Sequence, residues 1–161
     1  MNYLRTEPTY APGRLLGVPS VDVHDETFLA VGQRALAEVF ADQERCRRFW
    51  PDLRLTVYAD RGDKGLRWTV RGALVGTMEV WLEPVLDGTV LHYFLRADAC
   101  DSRGQPSPLS GRAALAEIRR RQLAAKALAF ELKDELDAGR PAGEPPPPDR
   151  VRARLTVSPP A

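Results

Sequence analysis

The chain has 161 residues and a formal net charge of +1, with 43% hydrophobic and 28% charged residues. This length allows one domain with an adequate core, but not two. The near-neutral charge lacks the basic surplus that nucleic acids and anionic membranes attract, so we expect neither as a partner. No apolar run approaches the roughly 20 residues that cross a bilayer, and the first residues lack the apolar core of a secretory signal. We therefore expect a cytoplasmic protein with no membrane insertion.

Both ends of the chain are rich in proline and show no apolar periodicity. The sequence predicts a flexible N-terminal arm over residues 1–17 and a disordered tail over residues 140–161. The folded domain is then expected over residues 18–139. Cys46 and Cys100 show no metal-binding spacing, so we expect free thiols in a reducing compartment rather than a disulfide.

The domain begins with a predicted strand over residues 20–29, in which Val21 and Val23 share one face. Two short helices are predicted next, over residues 32–41 and 43–49. The second helix ends before Pro51, because the residue preceding a proline avoids the helical region.

Four strands in meander order follow the short helices. Each alternates apolar and polar residues with period 2, and short connections between them predict antiparallel pairing of sequence neighbours. The pair Asp87-Gly88 predicts a tight hairpin, since both residue types tolerate positive φ. The four predicted strands cover residues 53–59, 66–73, 76–84 and 89–97.

A long amphipathic helix is predicted over residues 112–136, and Gly139 is its natural terminator. A single antiparallel sheet has one apolar face to cover, and the broad apolar stripe of this helix can cover it. If the sheet curves more strongly than the helix can follow, a space for an apolar ligand remains between them. The stripe consists of Ile118, Ala125, Leu128, Ala129, Leu132 and Leu136.

This element order is that of a helix-grip α+β fold, and several segments carry a closer likeness: DETFLAV (25–31), FWPDLRLTV (49–57), DRGDKGLRWTVRGALVGTMEVWLEPVLDGTVLHYFLRAD (60–98) and RRRQLAAKALAFELKDELDAG (119–139). They resemble actinobacterial proteins of the START-like (SRPBCC) polyketide cyclase/dehydrase and lipid-transport superfamily, over about residues 20–139. The resemblance implies a START/Bet v 1-like curved antiparallel sheet wrapped around the long C-terminal helix, with an elongated cavity between them. It implies no single activity, because the superfamily contains cyclases, lipid carriers, receptors and chaperone activators.

The apolar face of the predicted strands supplies the expected lining of that cavity. Its aliphatic members equally suit a filled core, whereas Trp68 and Tyr93 combine an apolar body with a polar tip, as in many ligand pockets. Trp50, just before Pro51, either plugs the core or lies at the cavity mouth. The expected ligand-binding residues are Trp50, Val57, Trp68, Val70, Met78, Val80, Leu82, Leu91, Tyr93, Leu95, Leu128 and Leu132.

The opposite face of the sheet is expected to be a solvated surface with cross-strand ion pairs among Arg67, Arg71, Glu79, Glu83 and Arg96. His24 could form a base–orienter pair with a neighbouring acid, but a histidine on a polar strand face is typically just exposed. His92 is expected on the same outward face. The two histidines and scattered acids show no metal-ligand spacing, so the sequence predicts no metal and no cofactor.

Three functions remain open from the sequence. The first is binding or transport of a hydrophobic small molecule, lipid-like or polyketide-like, in the cavity between the sheet and the C-terminal helix. The second is a polyketide cyclase/aromatase-like enzyme for aldol cyclisation and dehydration, with Tyr93 as the one clear proton-transfer group on the inward face. The third is a protein-interaction module with a filled core. Neither the ligand nor the oligomeric state follows from the sequence.

Overall fold

The computed structural model describes residues 17–146. Residues 1–16 of the predicted arm and residues 147–161 of the predicted tail lie outside the described residues, so the flexibility and disorder expected there stay predictions. A short 3-10 turn, Gly62–Lys64, joins the second and third strands. The elements are β1 (Val21–Leu29), α1 (Gln33–Ala41), α2 (Gln43–Phe49), β2 (Leu53–Asp60), β3 (Gly65–Gly72), β4 (Leu74–Val85), β5 (Gly88–Cys100), β6 (Pro106–Ser107) and α3 (Gly111–Leu136).

The strands form one antiparallel sheet in the order β1-β5-β4-β3-β2, and the two-residue β6 pairs with the end of β5. The predicted meander from β2 to β5 is confirmed. The first strand returns to pair with the last strand of the meander, which places β2 at a free edge of the sheet as far as the described residues extend. Two short helices follow β1, and one long helix follows the sheet. This is the helix-grip fold that the element order predicts.

Two local features differ from the sequence pattern. In the β4–β5 hairpin the turn residues are Leu86 and Asp87, and Leu86 takes the positive φ of 53°. Gly88 begins β5 instead. Glycine is needed at this position because a Cβ would lie 2.3 Å from the backbone oxygen of Leu29. In β2, a bulge shifts the register between Val57 and Ala59. Beyond this bulge Ala59 pairs with the outward-facing Arg67, so the strict alternation expected for this strand does not hold to its end.

The core lies between the sheet and the three helices. Ala125, Leu128, Ala129 and Leu132 of α3 are buried, as the predicted stripe requires, and α3 packs chiefly along β1. The concave face at the other end of the sheet is approached by α1 and α2 instead. There the inward residues of β2 become progressively exposed, from the buried Leu53 to Val57, which is 41% exposed. The position of α3 therefore leaves apolar surface of β2 without full cover.

Within the described residues, no helix combines the length and the apolar character needed to cross a membrane.

Candidate functional site

A groove of about 960 Å³ opens between the two short helices and the free-edge end of the sheet. Leu53, Leu55 and Val57 of β2 and Trp68 of β3 contribute apolar side chains to its floor, and Phe40 of α1 adds to the wall. Ligand pockets typically measure about 300–1,000 Å³ and are mostly apolar with a few polar groups. The groove thus has the size of a site for a small organic molecule, and its floor is apolar.

Charged residues also line the groove. Arg47 of α2 and Arg54 of β2 bring positive charge, and Asp60 brings negative charge. Asp60 pairs with the inward residue Leu66 only because of the bulge in β2. The polar residues give the otherwise apolar groove groups that could orient one end of a ligand.

Cys46 of α2 also lines the groove and is buried. Burial, together with the nearby charge of Asp42, raises the pKa of its thiol to about 11. Its Sγ donates to the backbone oxygen of Phe40 at 3.3 Å. Because the thiolate is the nucleophilic form, Cys46 acts here as a small apolar wall residue and not as a reactive group.

Between the groove and α3, a cluster of aromatic rings fills the interior. Trp50 stacks on Tyr93 with ring centroids 6.1 Å apart and packs against Trp68 at 6.2 Å. Phe40 and Phe49 complete the cluster around Trp50. Trp50 is only 4% exposed, so it packs inside the core. The sequence allowed two positions for Trp50, in the core or at the cavity mouth, and the structure has the first.

The space near Tyr93 under α3 is small. It has a volume of about 10 Å³ and is lined by Asp25, Phe40, Val80, Leu91, Tyr93, Ala125 and Leu128. A volume of about 10–15 Å³ holds one water molecule. At this point the elongated cavity that the resemblance implies is replaced by packed side chains.

Asp25 is an ionisable residue on the inward face that the sequence reasoning missed. It lies opposite Tyr93 in the β1–β5 pairing, and its Oδ1 is 3.1 Å from Nζ of Lys126 on α3. The expectation that Tyr93 is the one clear ionisable group on this face is therefore wrong. The alternation of Val21 and Val23, continued by two residues, was the signal that could have found Asp25.

The surroundings of Tyr93 make its hydroxyl less acidic. Burial raises the pKa of its hydroxyl, although the Arg121 charge and a hydrogen bond with Trp50 act in the opposite direction. Tyr93 is therefore a neutral phenol at physiological pH, and its hydroxyl already shares a hydrogen bond with Trp50.

The predicted ligand-binding residues separate into three groups. Val57 and Trp68 line the groove, whereas Val80, Leu91, Tyr93 and Leu128 line the small space under α3. The other six are buried in the core and line neither of these two spaces: Trp50, Val70, Met78, Leu82, Leu95 and Leu132.

Comparisons with known proteins show similarity in fold. No protein-family model matches the sequence, and no curated protein matches it significantly. The solution structure of the Aha1 dimer from Colwellia psychrerythraea has a TM-score of 0.51 and 12% identity, covering 75% of this chain and 99% of that one. The likeness is one of fold alone.

Two further solved structures are similar at lower scores. The crystal structure of DR_A0006 from Deinococcus radiodurans has a TM-score of 0.49 and 14% identity, covering 72% of this chain and 100% of that one. The crystal structure of Ara h 8.0201 has a TM-score of 0.41 and 13% identity, covering 69% of this chain and 96% of that one. At such identities the function must be argued from the site of this chain.

The outward face of the sheet carries one of the ion pairs expected there, since Glu79 lies 2.9 Å from Arg67, and Glu79 also lies 2.6 Å from Arg61. Glu83 pairs with His92 and Arg96 pairs with Asp22 instead. His92, however, is not an exposed surface residue, because only 6% of it is accessible. Its two ring nitrogens lie 3.1 Å from Glu26 and 3.0 Å from Glu83. The side chains around His92 thus form a polar cluster on the face opposite the groove.

Proposed function

We propose that this protein binds a hydrophobic small molecule, lipid-like or polyketide-like, in the groove beside β2. The observation that carries the proposal is the apolar surface of Leu55 and Val57, which is left open although it is continuous with the buried Trp68. Covering such surface stabilises a complex by about 25 cal/mol for each Å² removed from water. An apolar ligand would complete the core at this end of the sheet.

The charged residues that line the groove indicate which class of ligand it prefers. Arg54 lines the groove, and Arg47, which also lines it, has its Nη1 3.2 Å from Glu44. A carboxylate or another anionic end group could hydrogen-bond to the guanidinium of Arg54, while its apolar chain lies along β2. We therefore expect amphiphiles with an anionic end to bind more tightly than their neutral counterparts.

Membership of the START-like superfamily is part of the same proposal. It is supported by the helix-grip fold and by the segments that resemble this superfamily.

Transport of the bound molecule would follow if the groove releases it to a partner, and polyketide cyclisation is the enzymatic alternative. Cyclisation needs room for a substrate beside a proton-transfer group, and the space beside Tyr93 and Asp25 holds about one water molecule. Binding without chemistry is therefore the function that we favour.

A protein-interaction function has one observation in its favour. The strand β2 lies at the free edge of the described sheet, and its Val57 and Tyr58 are 41% and 46% exposed. An exposed edge strand can pair with a strand of a partner. Binding of an apolar probe distinguishes this possibility from the proposed one.

The first experiment is native mass spectrometry of the purified full-length protein, with organic extraction of any molecule that copurifies. The second is a titration with Nile red, an uncharged apolar dye, on wild type, Val57→Asp and Tyr58→Asp. The two variants add the same charge at neighbouring positions of similar exposure, but only Val57 lines the groove. Thermal unfolding of each variant checks that it is folded.

We expect Val57→Asp to weaken dye binding by about tenfold, since a desolvated carboxylate costs more than the roughly 1.4 kcal/mol that a tenfold change represents. Tyr58→Asp should bind as wild type does. Equal dye affinity in wild type and Val57→Asp would place the binding site elsewhere. A folded wild-type protein that binds no apolar probe would overturn the proposal and favour the interaction module.

A further inference from the structure

A compact cluster of histidine and glutamate side chains lies on the outer face of the sheet, opposite the groove. His24 and Glu26 belong to β1, and the β1–β5 register places Glu26 directly opposite His92. The Oε1 atom of Glu26 is 3.1 Å from Nε2 of His24 and 3.1 Å from Nδ1 of His92. All three atoms lie within 4.8 Å of one another. Two imidazole nitrogens therefore lie beside one carboxylate oxygen in a single small cluster.

We propose that His24, Glu26 and His92 bind a divalent first-row transition-metal ion. Metal bonds to His nitrogen and carboxylate oxygen measure about 2.0–2.2 Å, so neighbouring ligand atoms of one ion lie about 2.8–3.6 Å apart. The two separations of 3.1 Å from Glu26 Oε1 fall inside this range. Two imidazoles with one carboxylate favour ions such as Zn²⁺, Ni²⁺, Co²⁺ or Fe²⁺ over Mg²⁺ or Ca²⁺, which prefer all-oxygen sites.

Glu83 can accept a hydrogen bond from the ring nitrogen of His92 that does not face Glu26, and so orient this ring for metal binding. Its Oε2 lies 3.0 Å from Nε2 of His92. When Nε2 carries the proton and donates it to Glu83, the Nδ1 lone pair of His92 faces Glu26 and is available to a metal. In this tautomer, that lone pair and the Glu26 carboxylate would repel each other unless a cation lay between them. A metal ion between the ligand atoms removes the repulsion.

Packing holds the two rings in place before any ion arrives. His92 stacks on Trp81 with centroids 4.4 Å apart, and His24 stacks on Phe94 at 4.5 Å. The planes of the two histidine rings differ by 14°. Since little side-chain freedom is left for His92 to lose, binding by these ligands costs less conformational entropy than it would on a mobile loop.

Access to the site comes from solvent on one side. The side chains of His24 and Glu26 are 51% and 55% exposed, while that of His92 is 8% exposed. Three protein ligands leave at least one coordination position for water or an external ligand, which is the pattern of open rather than closed metal sites. The ligands come from strands far apart in sequence, which is why the histidine spacing alone predicted no metal.

The test uses tag-free full-length protein in a Cys100→Ser background, so that neither a tag nor the more accessible thiol contributes ligands. Isothermal titration with ZnCl₂ is compared among Cys100→Ser, His24→Gln and Glu26→Gln. Glu79→Gln is the matched control, because Glu79 lies on the same face but pairs with Arg61 and Arg67. We expect the loss of either ligand to weaken Zn²⁺ binding at least tenfold, and the control to bind within about twofold of its parent.

Glu83 and Trp81 provide two readouts that a general surface charge effect would not change. Glu83→Ala should weaken Zn²⁺ binding by about tenfold, and Glu83→Gln, which keeps an acceptor oxygen, should restore part of it. Ni²⁺ should quench the emission of Trp81, and Trp81→Phe should lose this quenching while keeping Zn²⁺ affinity. If the Cys100→Ser parent binds Zn²⁺ no more tightly than the His24→Gln/Glu26→Gln double variant in the same background, the cluster does not bind the ion and the proposal is wrong.

Discussion

Arg121 of α3 hydrogen-bonds to Asp52, which lies directly before β2, through Nη1 at 3.1 Å and Nη2 at 2.6 Å. Its Nε donates to Glu117 at 2.8 Å, one turn earlier in the same helix. Arg121 is a charged residue, yet it is only 3% exposed and lies among the buried apolar residues of the helix. The pair connects α3 to the segment that begins the groove floor.

Removing Asp52 and removing Arg121 should destabilise the protein by different amounts. Asp52→Ala leaves a buried guanidinium with only Glu117 as a close acidic partner, and we expect a loss of about 3 kcal/mol in the free energy of unfolding. Arg121→Met should cost less, because methionine fills similar volume and the remaining Asp52 side chain, 33% exposed, can rehydrate. Urea unfolding measures both. Arg120→Met, at a 55% exposed side chain, is the control and should cost less than about 1 kcal/mol.

The same network predicts a loss of stability in acid. Burial alone would raise the pKa values of Asp52 and Glu117, but hydrogen bonds from Arg121 and Arg120 outweigh it and hold both pKa values below their ordinary 3.8 and 4.5. A carboxyl whose pKa is depressed by folding stabilises the protein above its unfolded pKa. This stabilisation is lost as pH falls through the folded pKa.

Urea unfolding between pH 6 and pH 3, a range chosen from these ordinary pKa values, should therefore show stability falling below about pH 5. Asp52→Asn should show a shallower fall over the same range, because one of the two linked carboxyls is gone. A slope identical to that of wild type would mean that Asp52 does not take part in the linkage.

Leu132 tests the inward face of α3. It is fully buried, so Leu132→Asp should destabilise the fold by several kcal/mol through an unpaired buried carboxylate. Leu123 lies on the same helix but is 61% exposed, and Leu123→Asp should change the free energy of unfolding by less than about 1 kcal/mol. Similar losses in thermal unfolding for both variants would show that this helix presents a different face to the sheet.

The two thiols should react at different rates with iodoacetamide at pH 8. Burial raises the pKa of Cys46 to about 11, so about one part in a thousand of this thiol is ionised at that pH. Cys100 is only partly buried and should be alkylated first. Mass spectrometry of the native protein should therefore show one rapid modification, and both thiols should react once urea unfolds the chain. Rapid alkylation of Cys46 in the native protein would mean that the groove opens more widely than the structure shows.

The local patterns of the sequence were sufficient for the elements and for most of the core. Period-2 alternation assigned Trp68, Tyr93 and Leu95 to one face, and helical spacing assigned Leu128 and Leu132 to the buried side of α3. These assignments succeed because the side-chain direction in a regular strand or helix depends only on position along the element. The bulge in β2 is where this regularity stops, and there the alternation predicted up to residue 59 fails.

What the sequence by itself determined is therefore which face each side chain occupies; which side chains meet was decided only by the tertiary structure. The pairing of β1 with β5 brings Glu26 to His92 and Asp25 to Tyr93, and no local signal encodes a contact between strands so distant in the chain. The placement of α3 along β1 likewise leaves Val57 open and puts the groove beside β2. Both outcomes depend on how whole elements share one core, because a packed interior selects the arrangement that buries the most apolar surface with its polar groups paired.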